Sequence, residues 1–208
     1  MEDVLDVSHR PYVPEKPLVC LDESSTQQRV ETRQPLPAEP GQPERYDDAY
    51  ERTGVSNLFM LFAPLEGWRH VQVTERRTKV DFAPCIKDLL IVHFPEAEHV
   101  TIVMDNLNTH HPASLYEAFE PAAAKSLLDR CEFHFTPKHG SWLNMAEIEF
   151  SALQRQCLDR RIPDQETLQA EVGAWQARRN AQGVQVNWRF TTADARIRLK
   201  RLYPSIKN

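Results

Sequence analysis

The sequence predicts an α/β domain: a mixed sheet flanked by helices. Three observations carry that expectation. Strand-like apolar runs come first, and two of them are joined by the turn Pro64-Leu65-Glu66-Gly67, which reads as an antiparallel hairpin. Helix-periodic segments then alternate with short apolar runs, the pattern of parallel strands linked by crossovers. The size also fits, since 208 residues with 41% hydrophobic and 26% charged suit one globular domain.

Taken in order, residues 1–17 read as an N-terminal extension, acidic and polar at first and then punctuated by Pro11, Pro14 and Pro17. Leu18-Val19-Cys20-Leu21 is a short continuous strand that terminates in Asp22. Residues 31–52, with Pro35, Pro37, Pro40, Pro43 and Gly41, read as a surface excursion between two strands. Val55 to Ala63 and Trp68 to Glu75 form the hairpin, with Arg69, Val71 and Val73 sharing one face of the second strand. Phe82, Ile86, Leu89 and Leu90 then recur at helical spacing behind Asp81, placed as the N-cap. Val100 to Met104 is a buried-type strand that ends in Asp105. Ala113 to Arg130 is helix-forming but broken by Pro121, and Cys131 to Thr136 alternates as a strand with Cys131, Phe133 and Phe135 on one side. Ala146, Phe150, Leu153 and Cys157 make the stripe of one helix, and Leu168, Val172 and Trp175 that of another after Pro163-Asp164. The segment from Thr192 onward is helical and basic.

Composition excludes several classes of function. No apolar run approaches the roughly 20 residues that cross a bilayer, so no membrane partner is expected. The N-terminus lacks the pattern of a secretory signal, and the four cysteines are far apart, so a reducing, cytoplasmic setting is expected. The six glycines make no phosphate-cradling loop, and the histidines lack the short paired spacing of a zinc site. A net charge of −5 argues against holding nucleic acid by bulk charge alone.

The acids are more informative. Asp22 and Asp105 each follow a strand, and a mixed sheet of this order can bring both to one edge. Glu147 or Glu149, at the start of the next helix, supplies a third carboxylate. Three converging carboxylates repel unless a hard cation neutralises them, and all-oxygen ligands suit Mg²⁺ or Mn²⁺. A pair of such ions serves phosphoryl transfer. Plainer roles compete: turns at Asp22 and at Asp105-Asn106, and a capping box in which Glu147 returns to the Asn144 backbone N–H. Helical spacing leaves Glu147 and Glu149 equivalent, since both flank the apolar stripe.

The wording around these acids narrows the choice. Val103-Met104-Asp105-Asn106-Leu107-Asn108-Thr109-His110 resembles the second-aspartate motif of the DDE superfamily transposases, in the bacterial insertion-sequence branch related to mariner elements. Thr136-Pro137-Lys138-His139-Gly140-Ser141-Trp142-Leu143-Asn144-Met145-Ala146-Glu147 resembles the segment that carries their final acid. Leu18 to Ser24 resembles their first-aspartate strand, and the likeness extends from Lys16 to Pro204.

The resemblance implies a ribonuclease H-like fold, with residues 18–160 as the catalytic domain and 161–208 as a C-terminal helical basic extension of it. It implies Asp22, Asp105 and Glu147 as the catalytic and metal-binding triad, selecting Glu147 over Glu149, with two Mg²⁺ or Mn²⁺ ions as cofactors. DNA, as element ends and target, is the implied partner. Asn106, Asn108 and His110 would line the approach to the metals, His110 having a plain loop role as its alternative. Among basic clusters, Lys138 with His139, and Arg155, are the best placed for the DNA backbone. Trp142 either stacks on a base or packs in the rim.

Only 21 residues precede Asp22, too few for the helix-turn-helix region such transposases carry. The expectation is a truncated or split copy, partnered by a separate recognition half and dimeric when active. Two other readings use the same residues: a silent remnant that binds DNA or oligomerises, and a structure-specific nuclease.

Overall fold

The computed structural model describes residues 1–34, 36–43, 45, 48–105 and 111–203. Five strands form one sheet: β1 Leu18–Glu31, β2 Tyr50–Ala63, β3 Trp68–Thr74, β4 Val100–Met104 and β5 Cys131–Phe135. Their spatial order is β3-β2-β1-β4-β5. The β3-β2-β1 half is antiparallel, and β4 and β5 run parallel to β1. β4 is short and apolar because both its faces are covered, and it is buried at all five positions, whereas the edge strand β5 carries Glu132 and His134 and is mostly half-buried.

Side-chain alternation divides the core into two layers. Leu18, Cys20, Leu58, Met60, Phe62 and Val103 point to one face. There they meet α1 Glu2–Ser8, α5 Ala146–Leu153, α6 Gln165–Ala181 and α7 Thr192–Arg198. Val19, Leu21, Phe59, Leu61, Ile102 and Met104 point to the other, against α2 Lys79–Asp88, α3 Ser114–Ala118 and α4 Pro121–Leu128. Each fully buried Phe or Leu contributes about 1.5–3 kcal/mol relative to exposure. A register slip of one residue would exchange the two layers, so the pattern itself fixes the pairing.

Several elements differ in extent from the expectation. β1 does not stop at Asp22 but runs nine residues further, paired with β2 throughout and bulged between Gln28 and Arg29. Polar residues continue it because this outer part is only half covered, so no apolar run marks it. The excursion is correspondingly shorter, with bridges Leu36–Arg45 and Glu39–Gln42 within it. In α2 the N-cap is Thr78, not Asp81. Asp81 is the N3 member of a capping box, its carboxylate accepting from the Thr78 N–H at 2.8 Å. The split at Pro121 is as expected: α3 ends before it and Pro121 itself begins α4, where its missing N–H costs nothing. α6 is capped by Asp164, whose side chain accepts from the Thr167 N–H.

α6 and α7 contribute Leu168, Val172, Trp175 and Ala195 to the core on the α5 face of the sheet. The Gln176 side chain of α6 accepts from the Val71 N–H at 2.7 Å, and Asn180 clasps Arg69 through both its main-chain groups. The hairpin turn is locked from the same side. Gly67 has φ +66, and a Cβ there would come within 2.6 Å of the Gly183 main chain, so only glycine fits. No helix among the described residues is long and apolar enough to cross a membrane.

Candidate active site

Strand register places the two aspartates. β1 and β4 pair in parallel as Leu18–Thr101, Val19–Ile102 and Cys20–Val103. Two residues further along each strand, in step, lie Asp22 and Asp105. Alternation continues the rows of Cys20 and Val103, so both carboxylates belong to the face that α5 covers. Asp22 is buried, 7% exposed, and its carboxylate accepts from the Glu23 N–H at 2.9 Å. Asp105 is half-buried at the mouth of β4.

The start of α5 is fixed to the same place by a buried amide. The side chain of Asn144 donates from Nδ2 to the Leu21 carbonyl at 2.8 Å, one residue before Asp22. Its Oδ1 accepts from the Ala146 N–H at 3.2 Å, at the first turn of α5. The Asn144 N–H itself is given to Ser141. The capping box expected between Asn144 and Glu147 is therefore absent: Asn144 faces the sheet.

The two glutamates that spacing left equivalent occupy opposite environments. Glu147 is exposed, and among the described residues its carboxylate has no hydrogen-bond or ion-pair partner. Glu149 is 1% exposed and lies between two guanidinia. Arg179 reaches it in a fork, with Nε 3.0 Å from Oε2 and Nη2 2.7 Å from Oε1. Arg69, itself fully buried, has its Nε 3.3 Å from the same Oε2, close enough for an ion pair but misaligned for a hydrogen bond. The other Arg69 nitrogens donate to the Gly67 and Val184 carbonyls. Burial lowers the Arg69 pKa, and the Glu149 carboxylate opposes that shift. Glu149 thus fastens α5 to β3 and α6 as a buried charge cluster, which leaves Glu147 as the α5 acid facing outward.

The connector from β5 to α5 carries the other expected contacts. Thr136 continues the sheet by donating to the Met104 carbonyl at 2.9 Å, and the Gly140 N–H closes a turn onto Pro137 at 2.8 Å. His139, inside that turn, has φ +64, a left-handed conformation uncommon for a side-chain-bearing residue. Such strain is found where a loop must hold a set shape. Lys138 and His139 are exposed there. Trp142 is 44% exposed, with one edge against Phe190 at 5.8 Å between ring centroids. Trp142 thus packs at the rim while keeping part of its ring exposed. Arg155 is exposed in the π-helical turn Gln154–Leu158 that continues α5. It lies eight residues past Glu147, about 12 Å along the axis at ~1.5 Å per residue. Asn106, Asn108 and His110 lie outside the described residues.

The donor set suits a hard divalent cation, since all three acids offer oxygen only. Among the described residues, no three His, Cys, Asp or Glu side chains stand close enough together to grip an ion. The β1–β4 register sets Asp22 and Asp105 in step, and the Asn144 bond holds the start of α5 against the residue before Asp22.

Known proteins share the family and the fold. Residues 17–169 match the family model described as DDE superfamily endonuclease. The fold is similar to that in the crystal structure of the Mos1 strand transfer complex, with TM-score 0.55 and 13% identity over 81% of this chain and 50% of that one. It is also similar to the Mos1 mariner paired end complex with Mn, with TM-score 0.56 and 16% identity over 87% of this chain and 55% of that one. The chain therefore spans about half the length of the structures it matches, and no curated protein matches it in sequence. Order of strands, mixed pairing and helices on both faces make the fold ribonuclease H-like, and the chain belongs to the DDE superfamily endonucleases.

Proposed function

We propose that this chain is the catalytic domain of a transposase, in which Asp22, Asp105 and Glu147 hold two Mg²⁺ or Mn²⁺ ions at a DNA phosphodiester. One observation carries the reading. Asp22 and Asp105 stand in step on adjacent parallel strands, and Asn144 ties the helix bearing Glu147 to the residue before Asp22. Bound divalent ions supply a polarised water and neutralise charge that builds on the phosphate.

The chain's own residues do the positioning. The buried Asp22, with its Glu23 N–H contact, offers a fixed carboxylate, whereas the exposed Glu147 is free to swing toward the sheet edge. Lys138 and His139 flank the approach from the β5 side and Arg155 flanks it further along the α5 direction, where cations neutralise backbone phosphates. Trp142 presents a face beside the same connector for stacking on a base. We assign Asn106, Asn108 and His110, which follow Asp105 in sequence, to DNA contact, and recognition of the element's ends to a separate helix-turn-helix half. We expect the active form to be a homodimer. The four free thiols suit a reducing compartment, and we place the reaction in the cytoplasm.

Titration with Mn²⁺ by calorimetry tests the triad without requiring turnover. Binding that weakens at least tenfold in Glu147→Gln and in Asp105→Asn, but not in Gln182→Glu on the far end of α6, supports it. Equal affinity in all four proteins contradicts it.

A further inference from the structure

We propose that a trench between β1 and the α5–π-turn segment is a track for the sugar-phosphate backbone of a single DNA strand that passes the carboxylate site. This deepens the function proposed above and rests on it. The trench begins two residues after Asp22 on the same face of β1. Its first part is a cavity of about 370 Å³ walled by Ser24 and Thr26 on one side and by Ser151, Gln154 and Arg155 on the other. Its second part, of about 300 Å³, adds Gln27, Arg29 and Arg160. The two parts share Ser25, Thr26, Gln154 and Leu158, so they form one continuous furrow.

Three features identify the occupant. The walls offer hydroxyls, side-chain amides and three guanidinia, and no carboxylate lines either part, although acids outnumber bases in the chain as a whole. Such walls suit repeated phosphodiester anions. Arg155 is exposed and, among the described residues, has no ion-pair partner. Arg29 is held over the Tyr50 ring at 4.6 Å and donates to Gln27, which sets its guanidinium at the trench edge. Arg160 instead shares its charge with Glu171. The floor is apolar, made by Leu58, Phe150 and Leu158, and none of these can read base edges by hydrogen bonding. The shape favours a single strand over a duplex. A double helix presents its phosphates on a convex cylinder, whereas a furrow between a strand and a helix packed on the same sheet admits one extended backbone. Contacts of this kind make binding independent of sequence and sensitive to salt.

The test is fluorescence anisotropy of a fluorescein-labelled single-stranded oligonucleotide and of the matching duplex, with EDTA present so that metal plays no part. The full chain is compared with Arg29→Ala/Arg155→Ala and with the control Lys87→Glu on the opposite face of the sheet. Both altered arginines are exposed, and unchanged thermal melting verifies folding. The expected result is tighter binding of the single strand than of the duplex by wild type. In the double variant, single-strand affinity drops about tenfold and the salt slope shrinks by about 1.4, or ~0.7 per lost phosphate contact. Unchanged binding in the double variant, or an equal loss in the control, overturns the track. Tighter duplex binding overturns its assignment to a single strand. Mg²⁺-dependent nicking is measured on the same proteins: wild-type nicking with unchanged binding in the double variant rejects the track and keeps the endonuclease. Absent nicking with the expected binding loss rejects the endonuclease and keeps the track.

Discussion

The side-chain amide of Asn144 donates to the main-chain carbonyl of Leu21 at 2.8 Å, deep in the protein, and joins the helix carrying one acid to the strand carrying another. Asn144→Leu keeps the branching at Cγ but removes both side-chain hydrogen bonds, to the Leu21 carbonyl and from the Ala146 N–H, and places a bulkier group at this buried site. The expected loss of stability is about 1–3 kcal/mol. If the bond sets the acid geometry, cleavage falls by more than tenfold at temperatures where the variant is still folded. Chemical denaturation and a nicking assay on one preparation check both.

Glu147 and Glu149 separate cleanly by substitution. Glu149→Ala leaves Arg69 buried without its carboxylate, and breaking a buried pair of this kind costs about 3–5 kcal/mol. Glu147→Ala changes an exposed side chain, so stability stays within about 0.5 kcal/mol while metal-dependent cleavage is lost. Urea titration of both variants reads the first difference. A Glu147→Ala variant as unstable as Glu149→Ala would place Glu147 in the structural framework.

Stability falls as the medium is acidified, through a pair of histidines far from the acids. His70 is driven down to about 4, first by burial and then by His93, whose ring centroid is 4.4 Å away, while Asp88 pulls the other way. Burial lowers the His93 pKa too. The unfolded chain therefore binds more protons than the folded one below about 6.5, and stability declines as pH drops from there toward about 4. Melting temperatures measured across this window fall in wild type and fall less steeply in His70→Gln, whatever the absolute stability of the variant.

Gly67 is the position in the β2–β3 turn that tolerates no side chain. Its φ is +66, and an added Cβ meets the Gly183 main chain at 2.6 Å. Gly67→Ala is expected to lower stability by about 1–3 kcal/mol through backbone strain and the displaced contact. Because Arg69 donates to the Gly67 carbonyl, the buried charge cluster loosens with it, and hydrogen exchange at the β3 amides accelerates. Unchanged exchange in β3 would separate the turn from the cluster.

The sequence was most readable where apolar residues repeat at a fixed period. The Val55–Ala63 and Trp68–Glu75 hairpin, the split at Pro121 and the helix after Pro163-Asp164 all follow local rules, and the structure holds each. The outer half of β1 was not readable, because residues such as Gln27 and Arg29 are strand only by pairing with β2. The distinction between Glu147 and Glu149 needs tertiary partners, Arg69 and Arg179, that lie 80 and 30 residues from Glu149 in sequence. The tether from Asn144 was hidden for the same reason. Its position before the helix suggested a local cap, whereas its amide reaches a strand more than 100 residues away.

The central claim is that Asp22, Asp105 and Glu147 act together as a metal-dependent phosphodiesterase site. Nicking of supercoiled plasmid by the purified full chain, with and without Mg²⁺, tests it most directly when wild type and Asp105→Asn are compared. The account predicts nicking by wild type only with the ion, and at least a hundredfold less by Asp105→Asn, which keeps its fold. Nicking that persists at the wild-type rate in Asp105→Asn, or that proceeds unchanged in EDTA, would contradict it.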